Sequence, residues 1–219
     1  DTNSHYCEGK EGKMIKYVVI GMVIGYIFGC CQTGYFVGKL NRIDIRDYGS
    51  GNSGTTNTLR VLGKKAALFT FLGDALKGVF TVLIARFWLL PHVSGINPVA
   101  FLLLAGFGTV LGHNFPIIMK FKGGKGIATT GGVFFAVDPR MALICLAVFI
   151  AVTAASRYVS LGSICMVTAL PFILYFFYGY QPVVLAVGII YAVMAIWQHR
   201  ANIGRLIHGN ENKLGQKVK

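Results

Sequence analysis

The chain has 219 residues, of which 54% are hydrophobic and 13% charged, and its mean hydropathy is +0.61. Soluble domains carry about 25% charged residues, and here the apolar residues come in long runs, so the composition excludes an ordinary soluble fold and predicts a single all-α integral membrane domain. The net charge of +13 suits cytoplasmic loops and anionic substrates or headgroups; without a basic stripe interleaved with aromatics it does not point to nucleic acid.

In chain order, residues 1–13 are polar and read as an exposed extension with no signal-peptide core. A single domain is expected over 14–213, then a short tail, 214–219. The apolar segments are Met14–Leu40, Ala66–Leu90, Val99–Met119, Ile127–Val137, Pro139–Ala155, Leu161–Tyr178 and Pro182–Gln198. Pro98, Pro139 and Pro182 stand near segment starts, where proline is tolerated. Seven transmembrane helices place the termini on opposite sides. With the N-terminus outside, fifteen of the 21 Lys and Arg fall in the loops 39–65, 120–126, 156–160 and 199–219, so the positive-inside rule makes the C-terminus cytoplasmic. The five cysteines form no CxxC or Cys/His array and read as small buried hydrophobes, not metal ligands.

The fourth segment is short. Ile127–Val137 would span only about 16 Å as a helix, against a hydrocarbon core of about 30 Å. The preceding Gly123-Gly124-Lys125-Gly126 is therefore expected to dip below the headgroups and open this helix. Irregular backbone at that depth must line a cavity, and a helix N-terminus there favours an anion.

Three polar stretches interrupt the spans, all on the predicted cytoplasmic side. Ser50–Arg60 holds Ser50, Gly51, Asn52, Thr56 and Asn57 as hydrogen-bonding groups and Arg60 as a fork for phosphate; a solvated loop with helix caps has the same composition. Lys122, Gly123, Gly124, Lys125 and Gly126 resemble a phosphate cradle, yet Met119 occupies the slot of the first Walker glycine and no Ser or Thr follows Lys125, which disfavours nucleotide hydrolysis. A flexible basic loop is the alternative. Ser160 and Ser163, one helical turn apart, can face one cavity or bond their own carbonyls. His113 follows Gly112 at the inner end of the third helix; His199 and Asn202 share a face if the helix continues. Asp74 and Lys77, inside the second segment, are ionisable groups in the membrane, read here as an ion pair supporting the fold or the site. No Ser-His-Asp triad can be assembled, no metal site is expected, and five residues after each histidine there is no aspartate, which excludes the His-Asp mechanism of soluble-loop acyltransferases.

The three stretches in this order, with Gly38-Lys39-Leu40, Ile43-Asp44-Ile45-Arg46, Asp74 with Lys77-Gly78, and His199-Arg200, Asn202-Ile203, Arg205-Leu206 and Glu211-Asn212-Lys213, resemble the bacterial acyl-phosphate:glycerol-3-phosphate acyltransferases (the PlsY family) over residues 21–213. The resemblance implies a seven-helix enzyme of the bacterial inner membrane with its site facing the cytoplasm, no cofactor, and acyl phosphate and glycerol 3-phosphate as substrates. It also implies coupling to an enzyme that makes acyl phosphate from acyl carrier protein. On that reading the catalytic set is Ser50, Asn52, Arg60, His113, Lys125 and His199. The backbone of Ser50-Gly51-Asn52 with Gly123 and Gly124 holds the donor phosphate; Arg60, Lys125, Ser163, His199 and Asn202 hold glycerol 3-phosphate. The proton acceptor is either His113 or a donor phosphate oxygen. Two departures stand out: Cys30 and Gln32 replace the family's usual Ser and Pro, and Thr55 its usual Ala. A membrane transporter of phosphorylated anions is the competing reading, since basic residues and broken helices also build those.

Overall fold

The computed structural model describes the backbone of residues 2–216 and the side chains of residues 11–216. Among these residues it is all-helical: α1 Thr2–Gly29, α2 Thr33–Leu40, α3 Thr55–Ile84, α4 Pro98–Asn114, α5 Ile127–Val137, α6 Pro139–Ser156, α7 Val159–Tyr178, α8 Pro182–Gln198 and α9 Arg200–Ile207. Helix α1 runs from Thr2 through the expected boundary at Met14 without a break. Five helical stretches are long and apolar enough to cross a membrane; α8 and α9, bent by 61° at His199, make a sixth only if taken together, and α5 is shorter than a span.

The helix starts follow local chemistry. Pro98, Pro139 and Pro182 each occupy a first helical position, and the side chains of Asn97 and Asp138 cap α4 and α6 by accepting from Val99 N and Arg140 N, satisfying donors that a helix start leaves free. Helix α3 is broken at Gly63, whose φ of 82° is one that glycine adopts at little cost. Thr55–Leu62 is thereby set apart from the long apolar part that follows, near the expected segment start at Ala66.

Helix α4 is the centre of the bundle. It packs on α1, α3, α5 and α8, and Phe101 and Leu103 are fully buried with Val133, Phe134, Leu170, Leu174 and Val184. Its contact with α1 is built from glycines at four-residue spacing: Gly21, Gly25 and Gly29 on one side, Gly108 and Gly112 on the other. A Cβ at Gly25 or Gly29 would overlap the carbonyl of Ala105 or Thr109, and at Gly108 or Gly112 that of Met22 or Tyr26. This is small-xxx-small packing, in which backbones approach because no side chain intervenes. Helices α3 and α5 meet the same way through Gly78 and Gly132. Arg86 donates to the carbonyls of Ala136 and Val137 at 2.8 and 2.9 Å, fixing the far end of α5.

Candidate active site

The first turns of α3, α5 and α7 all line one cavity of about 570 Å³. Unpaired N–H groups and the positive end of the macrodipole make each a place for negative charge. Ser50, Asn52, Thr55, Thr56, Asn57, Arg60, Asp74, His113, Lys125, Ser160, Ser163, His199, Asn202 and Glu211 form its polar part. The rest is apolar, lined by Phe71 and Val79 of α3, Phe135 of α5, Leu143, Leu146 and Phe149 of α6, and Met166 of α7. All six residues expected to be catalytic line this cavity.

Several expected substrate contacts are differently used. The Gly123 and Gly124 amides donate to the carbonyls of Asn114 (3.2 Å) and His113 (3.0 Å). These glycines are required by the close return of the loop, since a Cβ at either would overlap the end of α4; neither lines the cavity. The Ser50 amide donates to Asn57 Oδ1 at 2.8 Å and the Gly51 amide to Tyr48 O at 3.1 Å, so Gly51 shapes the turn away from the cavity. Asn57 is buried, and its Nδ2 donates to Ile45 O and Tyr48 O, both at 3.0 Å, which makes it the staple of this loop. Lys122 is exposed and off the cavity. The residues that open α3, Thr55 and Thr56, and α5, Ile127 and Ala128, line the cavity, and their amides are among those a helix start leaves without a partner in the helix. Thr55 Oγ1 is buried without a partner. Gly126 is the N-cap of α5 with φ 77°, so the glycine loop leads directly into this helix.

One polar network joins the third stretch to Lys125. Lys125 Nζ donates to Asn202 Oδ1; Asn202 Nδ2 (2.7 Å) and Ser160 Oγ (3.0 Å) donate to Glu211 Oε1, and Arg205 Nε donates to Glu211 Oε2 at 2.7 Å. Burial pushes the Glu211 carboxyl upward, but the hydrogen bonds from Asn202, Arg205 and Ser160 outweigh it and hold the group below its ordinary value. Burial lowers the Lys125 amine to about 8; Glu211 opposes that, and Arg205 and Arg60 add to it. In the sequence Glu211 stands only within the stretch Glu211-Asn212-Lys213, with no role of its own. Its signal is that it is the one acidic residue after Asp138, amid an excess of cations.

The two cavity histidines face it differently. His199 Nδ1 lies 2.7 Å from Ala195 O, and a carbonyl only accepts, so Nδ1 carries the hydrogen and Nε2 its lone pair. His113 Nδ1 lies 2.8 Å from Lys77 Nζ, whose ammonium also binds Asp74 Oδ1 at 2.9 Å. The expected Asp74–Lys77 pair is thus present and buried. Ser163 Oγ donates to Val159 O at 2.9 Å, the local alternative noted for it. Gln32, fully buried where α1 gives way to α2, donates through Nε2 to His113 O at 2.9 Å and accepts from Ser53 Oγ at 3.1 Å. This departure from the family pattern thereby ties the first polar stretch to the end of α4.

A helical membrane fold with one cavity that joins Arg60 and Lys125 to an apolar wall is a setting in which a phosphorylated polar molecule and a lipid chain can meet. Residues 19–209 match the family described as glycerol-3-phosphate acyltransferase, and the chain belongs to that family. It is 44% identical to the glycerol-3-phosphate acyltransferase of Clostridioides difficile over 206 residues, covering 94% of this chain and 98% of that one. With the Thermoanaerobacter pseudethanolicus protein of the same name it shares 44% over 203 residues, covering 92% and 98%. Two crystal structures of PlsY, an integral membrane glycerol 3-phosphate acyltransferase, superpose on it. The glycerol 3-phosphate form has a TM-score of 0.80 at 38% identity, covering 90% of this chain and 96% of that one. The lysophosphatidic acid form has 0.78 at 37%, covering 90% and 95%.

Proposed function

We propose that this enzyme transfers a fatty acyl group from acyl phosphate to the 1-hydroxyl of glycerol 3-phosphate, giving lysophosphatidic acid and inorganic phosphate with no acyl-enzyme. The observation that carries this reading is the single cavity in which three helix starts, Arg60 and Lys125 converge beside an apolar channel. The glycerol 3-phosphate and lysophosphatidic acid forms of PlsY support it.

Acyl phosphate is an activated mixed anhydride, so the protein has to supply position and charge. Amides at the starts of α3 and α5, with Asn52 Nδ2 and the hydroxyls of Ser50, Thr55 and Thr56, hold the donor phosphate. Arg60, Lys125, Ser163, His199 and Asn202 hold glycerol 3-phosphate. Two phosphates in one pocket repel, and Arg60 and Lys125 offset that repulsion. The hydroxyl oxygen attacks the acyl carbon, the C–O bond to phosphate breaks, and the hydroxyl proton ends on the departing phosphate, which leaves as hydrogen phosphate. No side chain has to keep that proton. The fatty chain lies in the apolar channel between α3, α5, α6 and α7. In the bacterial cytoplasmic membrane, the seven-crossing arrangement counts α5 as a short crossing reached through its re-entrant loop, with the cavity at the inner face. The donor arrives from an enzyme that makes acyl phosphate from acyl carrier protein.

Lys125→Ala and Arg60→Ala are each expected to lower turnover by about 100-fold or more while the purified protein keeps its elution profile and melting behaviour. Near-normal phosphate release by both variants refutes the assignment. Intact-mass measurement after donor alone is expected to show unmodified protein; an acyl adduct on Ser50, Ser160 or Ser163 contradicts direct transfer.

A further inference from the structure

The buried Asp74–Lys77 pair is not used by the mechanism above, yet Asp74 lines the cavity and Lys77 touches His113 of the same lining. Lys77 Nζ sits among three oxygen acceptors and a ring nitrogen: Cys31 O at 2.7 Å, Asp74 Oδ1 at 2.9 Å, Gly29 O at 3.3 Å and His113 Nδ1 at 2.8 Å. An ammonium has three hydrogens and no lone pair. The three shortest contacts take those hydrogens, and Gly29 O accepts instead from Gln32 Nε2 at 3.2 Å. The Asp74 carboxylate, 1% exposed, has the Lys77 ammonium, 5% exposed, as its partner at 2.9 Å, and a neutral amine would leave that carboxylate buried without a counter-charge. An unsatisfied polar group is costly there.

Given the charged lysine, His113 Nδ1 has to be the acceptor. Asp74 does not compete for it, since Asp74 Oδ1 lies 3.7 Å from Nδ1, beyond hydrogen-bond distance. The ring hydrogen is then on Nε2, which lies against Gly124 so closely that a Cβ there would overlap it. Among the described residues Nε2 has no protein acceptor, and His113 lines the cavity. The carbonyl of His113 is fixed from two further directions, by Gln32 Nε2 and by the Gly124 amide.

We infer that Lys77 is a positioning residue that holds His113 in the neutral Nε2–H tautomer, so that His113 offers the substrates a fixed hydrogen-bond donor and not a proton acceptor. The inference rests on the acyl-transfer reading for what the donor serves: an oxygen of the reacting anhydride, where negative charge grows as the acceptor hydroxyl attacks. It also decides between the two proton acceptors open in the sequence. With Nδ1 capped by an ammonium and Nε2 protonated, His113 has no free lone pair, and the proton goes to the phosphate.

Nitrogen-15 spectra of histidine-labelled enzyme in lipid nanodiscs at neutral pH test the tautomer directly, with His113→Gln identifying the resonances. The expected result is a protonated Nε2 and a bare Nδ1; a protonated Nδ1 overturns the inference. The charge-neutral pair Lys77→Met with Asp74→Asn, which leaves no unpaired buried ion, is expected to release the ring into a mixture of tautomers. A folded double variant with an unchanged spectrum overturns the role of Lys77. In turnover, His113→Ala is expected to lose about 100-fold in kcat with little change in KM. His113→Gln, whose amide nitrogen keeps a donor there, is expected to recover at least about tenfold of that loss; equal losses in the two variants contradict the donor role. Should the wild-type enzyme fail to turn over these substrates, the acyl-transfer reading fails, while the spectrum still decides the tautomer.

Discussion

Lys125 is the residue on which charge in the cavity depends. Its amine, lowered to about 8 by burial, is only partly protonated just above neutral pH, and the role proposed for it requires the cation. The sign follows: kcat/KM falls as pH rises through about 8, because the free enzyme loses the positive group that receives phosphate. A pH series on Lys125→Arg, whose guanidinium stays charged, is expected to move that alkaline limb upward. Glu211→Gln is expected to move it downward, since the Glu211 charge is what raises the Lys125 amine. An alkaline limb unmoved in both variants shows that Lys125 does not titrate in catalysis. At this scale the sequence led to side chains that meet in the cavity more readily than to backbone groups that do. Arg60, Lys125, His199 and Asn202 could be chosen because each residue type has a chemistry of its own. The Gly123 and Gly124 amides could not be assigned, because a glycine that permits close approach to an anion looks the same as one that permits close approach to a carbonyl.

Among the elements, the crossing of α1 and α4 positions the site. It brings Gln32 and the end of α1 against His113, and its spacing is set by glycines whose absent side chains would overlap backbone. Gly25→Val and Gly112→Val are each expected to destabilise the folded protein by about 1–3 kcal/mol, read as lower melting temperature and yield. By contrast Gly131→Ala, where a Cβ has open space, is expected to fold normally. Equal stability of all three variants contradicts close backbone packing at that crossing. The repeat Gly21, Gly25, Gly29 facing Gly108 and Gly112 is visible in the sequence as small residues four apart, but their pairing belongs to tertiary structure. The short α5 was legible, because a length of eleven residues is a number that the membrane thickness makes meaningful. The break at Gly63 was not, because an isolated glycine in a helical run is often tolerated.

For the molecule as a whole, the proposed arrangement puts the cavity mouth and the C-terminus in the cytoplasm and the N-terminus outside. Single cysteines placed in a cysteine-free background are expected to follow that division with an impermeant thiol reagent on intact cells: labelling at position 13, protection at position 213. The opposite pattern reverses the orientation, and labelling of both shows an even number of crossings. The all-helical membrane class was readable from composition, since hydropathy reports the solvent of each segment. That the three polar stretches form one pocket was readable only from the side of the membrane predicted for all three, and Glu211, which joins Asn202, Ser160 and Arg205, emerged only from the fold of the segment after α9, where Glu211 meets Ser160 and Leu214 N donates to Arg157 O.

Direct transfer in that pocket is tested by following inorganic phosphate and lysophosphatidic acid together, with purified enzyme, acyl phosphate and glycerol 3-phosphate. The expected result is equimolar appearance of both products, dependent on both substrates and lost in Lys125→Ala. Phosphate released from acyl phosphate without glycerol 3-phosphate, or glycerol 3-phosphate carried across liposomes with no product formed, contradicts the account.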